Sequence, residues 1–143
     1  MFVKQVSVFV ENSAGRLAEL TRLLADHGVD LISMSIADTA SFGIVRFITT
    51  SVDEAVKLSE GSGYTARVND VLAVMVDDRP GGLAGILDIL NRNGIAVEYM
   101  YSFNRSLEGK ALIVIRVNDS AAAEKAFAQN SVRMIGQEDL RDL

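Results

Sequence analysis

The feature that most constrains this chain is an internal repeat. Shifting the sequence by 66 positions brings identical residues into register along most of its first half. The identical pairs include Val8 and Val74, Gly15 and Gly81, Leu17 and Leu83, Leu24 and Leu90, Gly28 and Gly94, and Met34 and Met100. One supersecondary unit therefore occurs twice, and we expect two domains, 1–69 and 70–143, that join near Asn69 and Asp70.

Each repeat has the residue pattern of a βαββαβ unit. In repeat one, β-branched residues alternate along a strand at Val3–Val10, and leucines recur on one face of a helix that ends at Gly28. Further strands are predicted at Val29–Ala37, Ile44–Thr49 and Tyr64–Val68, with a helix at Val52–Leu58; repeat two has strands at Val71–Val76, Ile95–Phe103, Ala111–Val117 and Val132–Ile135, and helices at Leu83–Asn93 and Ala121–Ala128. This order predicts an α+β fold of two ferredoxin-like units with antiparallel sheets, and the tail Gln137–Leu143 is expected to add a helical turn.

The predicted strands carry apolar residues on both faces. Leu112–Ile115 is continuously apolar, and Val97, Tyr99, Tyr101 and Phe103 share one face of their strand. Either the sheets expose some apolar surface, or a second sheet, from the other repeat or from another chain, covers that face. The pattern recurs in both repeats and favours a covered face, so we expect a homodimer.

Composition excludes several classes of function. The sequence has no cysteine and one histidine, His27, which rules out disulfides, cysteine-ligated zinc and multi-histidine metal sites. The net charge of −5 argues against nucleic acid as a main partner. No apolar run is long enough for a membrane-spanning helix, and residues 1–10 lack the pattern of a signal peptide, so we expect a cytoplasmic protein without a membrane partner.

The two strand-to-helix turns carry the clearest signal of function. Their sequences are Glu11-Asn12-Ser13-Ala14-Gly15-Arg16-Leu17 and Asp77-Asp78-Arg79-Pro80-Gly81-Gly82-Leu83. Glycine lets a ligand approach the backbone closely, and the free N–H groups of a helix N-terminus attract a carboxylate or phosphate. The same residues also make good helix starts, with Pro80 suited to the first helical position. Glycine in both copies favours a ligand, because capping alone does not require it.

The turn pattern acidic-x-x-P-G-x-L, with a second glycine thirteen residues after the first, inside a βαββαβ unit resembles an ACT domain. Repeat two matches with Asp77, Pro80, Gly81, Leu83 and Gly94; repeat one matches with Glu11, Gly15, Leu17 and Gly28, and has Ala14 where the family usually has proline. The full length resembles the small stand-alone tandem ACT-domain proteins, and the stretches Ala37-Asp38-Thr39, Phe42-Gly43-Ile44 and Glu98-Tyr99-Met100-Tyr101 add to the likeness. The resemblance implies a non-catalytic sensor that binds an amino acid where two ACT units meet, without cofactor or metal.

In well-matched relatives, one asparagine in the turn and one just after the helix-terminating glycine hold the ligand. The resemblance places these on Asn12 and Asp30 in repeat one, and on Asp78 and Ala96 in repeat two. The candidate ligand-binding residues are then Asn12, Ser13, Ala14, Gly15, Arg16, Leu17, Asp30, Asp78, Arg79, Pro80, Gly81, Gly82, Leu83 and Tyr99. If the repeats face each other, Asp78 and Asp30 share one pocket and together repel a bound carboxylate, so the Asn12 turn is expected to form the tighter site. The simpler interpretation makes Asn12 a helix cap and Asp30 a turn residue.

Three functions remain open. The chain is expected to be an amino-acid sensor of regulatory, allosteric type. One alternative is a detached regulatory subunit that docks onto an enzyme of amino-acid metabolism, and another is an enzyme on a ferredoxin-like scaffold. No nucleophile and base can be paired in the sequence, so we expect no catalytic residues, no cofactor and a small-molecule amino acid as the partner.

Overall fold

The computed structural model describes residues 1–38 and 41–143, and Thr39 of the family-like stretch lies outside the described residues. The chain divides into two compact units. The first unit is Lys4–Asp70, and the second unit is residues 71–143 together with Met1–Val3. The division falls inside one strand, β4 (Thr65–Val76), so repeat one runs directly into repeat two without a linker.

The first unit has the element order expected for repeat one. It contains β1 (Val3–Glu11), α1 (Arg16–Asp26), β2 (Ser33–Asp38), β3 (Phe42–Ile48), α2 (Val52–Gly61) and the first half of β4. β3 pairs antiparallel with β1 and with β2, so that Val45 lies opposite Val8 on one side and Ile36 on the other. The strand order in this unit is β2-β3-β1-β4.

The second unit repeats the same order. It contains the second half of β4, α3 (Gly82–Arg92), β5 (Val97–Ser102), β6 (Ala111–Val117), α4 (Ser120–Gln129) and β7 (Met134–Ile135), followed by a 3-10 helix (Glu138–Asp142) that confirms the predicted turn in the tail. β6 pairs antiparallel with β4 and with β5, and β7 pairs antiparallel with β4. Both units are therefore mixed α and β with antiparallel sheets, as predicted.

Each unit buries its own apolar core between sheet and helices. In the first unit Leu20 and Leu24 of α1 pack against the sheet, and in the second unit Ile86 and Leu90 of α3 occupy the equivalent places. Full burial of an aliphatic side chain stabilises a fold by roughly 1.5–3 kcal/mol. The repeated leucines and isoleucines of the sequence therefore mark the core side of each helix.

The strands after the first helices begin later than predicted. β2 begins at Ser33 rather than Val29, because the N–H of Val29 donates to the carbonyl of Leu24, 2.9 Å away. In repeat two the N–H of Ile95 donates to Leu90 at 3.0 Å in the same way. Both are helix-ending hydrogen bonds of the Schellman type, which occupy the residue after the glycine. The amide that the pattern assigned to a strand is therefore used to close the helix.

The face of each sheet opposite its helices is also buried. In β1, Gln5 and Ser7 alternate with the core residues and are nonetheless inaccessible, with the Gln5 amide donating to the Ser7 hydroxyl at 3.3 Å. Ala73 and Leu112 are buried in the second unit. Among the described residues the large apolar side chains that remain exposed include Ile36 in the edge strand β2 and Phe42 at the start of β3, both about half exposed. Among the described residues no helix is both long and apolar enough to cross a membrane.

Candidate ligand-binding turns

The two strand-to-helix turns have nearly identical backbones. Gly15 and Gly81 each hold the position before the helix with φ of 87° and 88°, in the left-handed region. A Cβ on either glycine would meet nothing within 4 Å, so close packing does not explain them. Glycine is required in both copies because L residues rarely adopt this φ. The recurrence of glycine is therefore explained by the backbone alone, contrary to the expectation that helix capping would not demand it.

Pro80 lies outside α3 rather than at its first position. The helix begins at Gly82, with Gly81 as the preceding cap residue. The turn is closed by the N–H of Arg79, which donates to the carbonyl of Asp77 at 2.9 Å. The Ser13 N–H donates to the Glu11 carbonyl over the same distance in repeat one.

Neither turn satisfies the first amides of its helix with a side chain. α1 and α3 have no side-chain cap hydrogen bond, whereas α4 is capped by Asp119, which accepts from the Ala122 N–H at 3.0 Å. The first intrahelical hydrogen bond of α3 joins the Gly85 N–H to Gly81, so the Leu83 and Ala84 amides precede it. Amides in this position carry the positive end of the helix dipole and suit a carboxylate.

The turn of repeat one borders a small cavity. The cavity has a volume of about 130 Å³. Asn12, Ser13 and Leu17 line it together with residues of three strands: Val10, Glu11, Ile36, Gly43 and Val45. The Asn12 amide donates to the carboxylate of Asp38 at 3.0 Å, which ties the turn to the end of β2.

The turn of repeat two borders a larger cavity of about 580 Å³. Its apolar walls come from Met75 and Val76 of β4, Ile86 and Ile89 of α3, and Val132 before β7. The charged residues at its rim are Asp77, Arg79, Glu108, Lys110 and Arg133. Ligand pockets usually enclose roughly 300–1,000 Å³, so the volume of this cavity lies within the usual range and that of the repeat-one cavity lies below it.

The charged rim of the larger cavity is organised by ion pairs. Lys110 contacts the Asp77 carboxylate, Arg79 lies 3.4 Å from the same group, and Arg133 lies 2.7 Å from Glu108. The hydrogen bond from Lys110, helped by its charge and by Arg79, holds the pKa of Asp77 below its ordinary value. Three cations and two carboxylates leave the rim with an excess positive charge in a chain of net charge −5.

Comparison with known families identifies this architecture. The family described as an ACT domain pair matches residues 1–143. This chain belongs to the ACT domain pair family. The match covers both repeats and confirms the resemblance seen in the sequence.

Solved structures agree with the ACT domain pair. A protein from Bacteroides thetaiotaomicron is 34% identical, the alignment covers 100% of this chain and 98% of that one, and the TM-score is 0.91. The ligand-free regulatory subunit of aspartate kinase from Thermus thermophilus is 16% identical over 89% of this chain and 91% of that one, with a TM-score of 0.64. Aspartate kinase from Clostridium acetobutylicum is 12% identical over 90% of this chain and 33% of the longer enzyme, with a TM-score of 0.53. A comparison with curated proteins gave no match.

The remaining candidate residues of the ACT domain pair do not line either of these two cavities. Neither cavity is lined by Ala14, Gly15, Arg16, Asp30, Asp78, Pro80, Leu83 or Tyr99. Asp30 follows the far end of α1, whose 11 residues span about 16 Å, so one small ligand in the first unit cannot contact both Asn12 and Asp30. Tyr99 is half-buried in β5, in register with Arg116.

Several cavity residues were not predicted from the sequence. Lys110 and Glu108 come from the β5–β6 loop, and Arg133 comes from the segment before β7. The only sequence signal at this place is that the 66-residue offset between the repeats drifts by two or three residues beyond Gly43 and Gly109, which indicates a loop insertion near Glu108 and not a site. Among the described residues no cluster of three histidine, cysteine or acidic side chains is suited to hold a metal ion.

Proposed function

We propose that this ACT domain pair is a non-catalytic regulatory protein that binds an amino acid at its strand-to-helix turns. One observation carries the proposal: the same uncapped turn occurs in both units, and each turn borders a cavity built by its own unit. We also propose that residues 1–69 and 70–143 are the two ACT domains.

The chemistry of the larger cavity suits a zwitterion. The amides that begin α3 offer hydrogen-bond donors and a positive dipole to a carboxylate. Asp77 and Glu108 supply carboxylate oxygens at the rim for an ammonium group. The expectation that the Asn12 turn binds the ligand more tightly than the Gly81 turn stays a prediction. The larger volume of the cavity at the Gly81 turn favours tighter binding there instead.

The proposed role of Asp30 needs a second ACT unit. Asn12 and Asp30 are separated by the length of α1, so a ligand that contacts both would have to receive them from different units. Tyr99 lies on β5 and does not line the cavity at the Gly81 turn. We therefore propose that Tyr99, like Asp30, contacts a ligand only where ACT units meet. We therefore propose that Asn12 and Asp30 act on separate ligands or only where ACT units meet.

Names of structural relatives support a regulatory role. The relative from Thermus thermophilus is named as the regulatory subunit of an aspartate kinase, and this chain matches one third of a complete aspartate kinase. We propose that this chain acts as a cytoplasmic homodimer. A detached regulatory subunit that docks onto an amino-acid-metabolism enzyme is the second candidate, and the match to part of a larger enzyme favours it.

A thermal-shift screen of the twenty amino acids tests the proposal. A ligand that binds only the folded protein adds about 2.7 kcal/mol to the free energy of unfolding when its concentration is about a hundred times Kd. The melting temperature rises as a result. We expect at least one amino acid to stabilise the protein and to be recovered unchanged after incubation. Turnover of an amino acid would favour the enzyme alternative. No shift with any amino acid, together with capture of a metabolic enzyme, would favour pure docking.

A further inference from the structure

The two units differ at one groove, which lies between the first helix of each unit and the segment before its last strand. Gly15 and Gly81 superimpose in conformation, and the first helical hydrogen bonds, from Glu19 to Gly15 and from Gly85 to Gly81, are 2.9 and 3.0 Å long. Glu19 of the first unit therefore corresponds to Gly85 of the second. By the same offset Arg16 corresponds to Gly82.

The opposite wall of the groove also has an exact structural counterpart. Tyr64 follows Gly63 and Val132 follows Ser131, and both preceding residues have positive φ, 88° and 56°. The N–H of Tyr64 donates to Ser59 at 3.0 Å, and the N–H of Val132 donates to Phe127 at 2.9 Å. Tyr64 and Val132 therefore occupy the same place in their units.

In the first unit Arg16 and Tyr64 lie against each other in this groove, while Glu19, whose side chain is 58% exposed, pairs with Arg16. The guanidinium of Arg16 lies 5.0 Å from the centre of the Tyr64 ring and 3.1 Å from the Glu19 carboxylate. Tyr64 is only 5% exposed, and burial is the main cause that raises its pKa above the ordinary value. The stacked cation and the buried ring thus occupy the positions that glycine and valine hold in the second unit, and the small cavity of this unit is lined by other residues.

In the second unit the same groove is open. Gly85 has no side chain and Val132 is much smaller than a tyrosine, and both border the cavity of about 580 Å³. Gly82 borders it as well, but there a Cβ would collide with the Asp77 carbonyl oxygen. Gly85 lies inside α3, where a Cβ would meet nothing within 4 Å. Packing therefore does not require glycine at position 85. Helix stability does not favour it either, because glycine inside a helix is destabilising by roughly 0.5–1 kcal/mol relative to alanine.

We propose that the groove of the second unit, bordered by Gly82, Gly85, Ile89 and Val132, binds a free amino acid with a large apolar side chain. This inference rests on the proposed amino-acid binding and adds which unit binds and which class of ligand. Ile86, Ile89 and Val132 form an apolar surface for the side chain. The amides of the Gly81 turn hold the carboxylate, and Asp77 and Glu108 face the ammonium group.

Isothermal titration calorimetry of the full chain with leucine and phenylalanine, against glycine, serine and aspartate, tests the proposal. We expect leucine or phenylalanine to bind at least tenfold more tightly than the three small amino acids. Gly85→Leu places a side chain in the groove from a position where a Cβ meets nothing within 4 Å, and should weaken that binding at least tenfold. Val132→Tyr, which copies the first unit, should have the same effect and serves if Gly85→Leu fails to fold.

Glu19→Leu is the matched control because it places the same residue, leucine, at the corresponding helix position of the first unit. We expect it to leave the affinity within twofold of the unsubstituted chain. Binding that favours a small polar amino acid, or that survives both Gly85→Leu and Val132→Tyr, would overturn this inference while leaving amino-acid binding intact. If none of the twenty amino acids binds, both the proposed function and this inference are overturned.

Discussion

Three glycines near the start of α3, Gly81, Gly82 and Gly85, should respond to alanine in three different ways. Gly85 has helical geometry and open space around the missing Cβ, so Gly85→Ala should stabilise the protein by about 0.4–1 kcal/mol. Gly81 has a φ of 88°, and an alanine there should cost about 1–2 kcal/mol. A Cβ on Gly82 would collide with the carbonyl oxygen of Asp77, so Gly82→Ala should cost more than Gly81→Ala.

Urea denaturation followed by circular dichroism measures these differences. For a chain of this size 1 kcal/mol corresponds to roughly 2–4 °C in Tm, so thermal melts give an independent check. Gly15→Ala is the matched control in the first unit, because its φ of 87° predicts the same loss as Gly81→Ala. A loss of stability in Gly85→Ala, or none in Gly81→Ala, would contradict the backbone geometry of the turn.

Three further predictions concern charge and assembly. Folding lowers the pKa of Asp77, so the stability that this carboxylate contributes is present above its unfolded pKa and is lost as the pH falls through its folded pKa. Lys110→Met should raise the pKa of Asp77 in a carboxyl NMR titration, because it removes the main hydrogen-bond donor. An unchanged pKa would contradict the pairing of Lys110 with Asp77. Burial is the main cause that raises the pKa of Tyr64 above 10.0, so an ultraviolet titration compared with Tyr64→Phe should show this phenol ionising above the ordinary tyrosine range, and ionisation within that range would contradict its burial. The stability that this shift contributes is present below the unfolded pKa and is lost as the pH rises through the folded pKa. Analytical ultracentrifugation should give about 31 kDa, twice the chain mass of 15.5 kDa, and a monomer at all concentrations would rule out the dimer.

The sequence predicted the fold well because the repeat and the helical periodicity report directly on the core. Of the leucines whose spacing predicts one face of the first helix, Leu20 and Leu24 are buried and Leu17 and Leu23 are partly buried. Ile86 and Leu90, which the repeat aligns with Leu20 and Leu24, are buried as well. Errors were confined to the ends of elements. There, local hydrogen bonds such as the one from Val29 to Leu24 decide where a strand begins, and apolar periodicity does not register them.

The candidate site was predicted less completely because a cavity depends on segments that are distant in sequence. The Gly81 turn was identified from its residues, and Arg79, Gly81 and Gly82 do line the larger cavity. Lys110 reaches the same rim because the loop before β6 ends beside the turn. Nothing in the residue types around Lys110 distinguishes it from any exposed lysine before a strand.

The two units of the chain have the same fold, so side-chain sizes at equivalent positions can be compared directly. Where the helices pack on the sheets, the two repeats keep apolar residues of similar size, as with Leu24 and Leu90. Where the groove lies, two helix positions and one loop position are all smaller in the second unit, although Gly85 and Val132 are far apart in sequence. A loss of packing would be expected to scatter over the unit or to be compensated by a neighbouring larger side chain. Gly82 is required because a Cβ there would collide with the Asp77 carbonyl oxygen, but Gly85 is not constrained in this way. The reductions at Gly85 and Val132, which converge on one cavity beside a turn with uncapped amides, are what a ligand site requires.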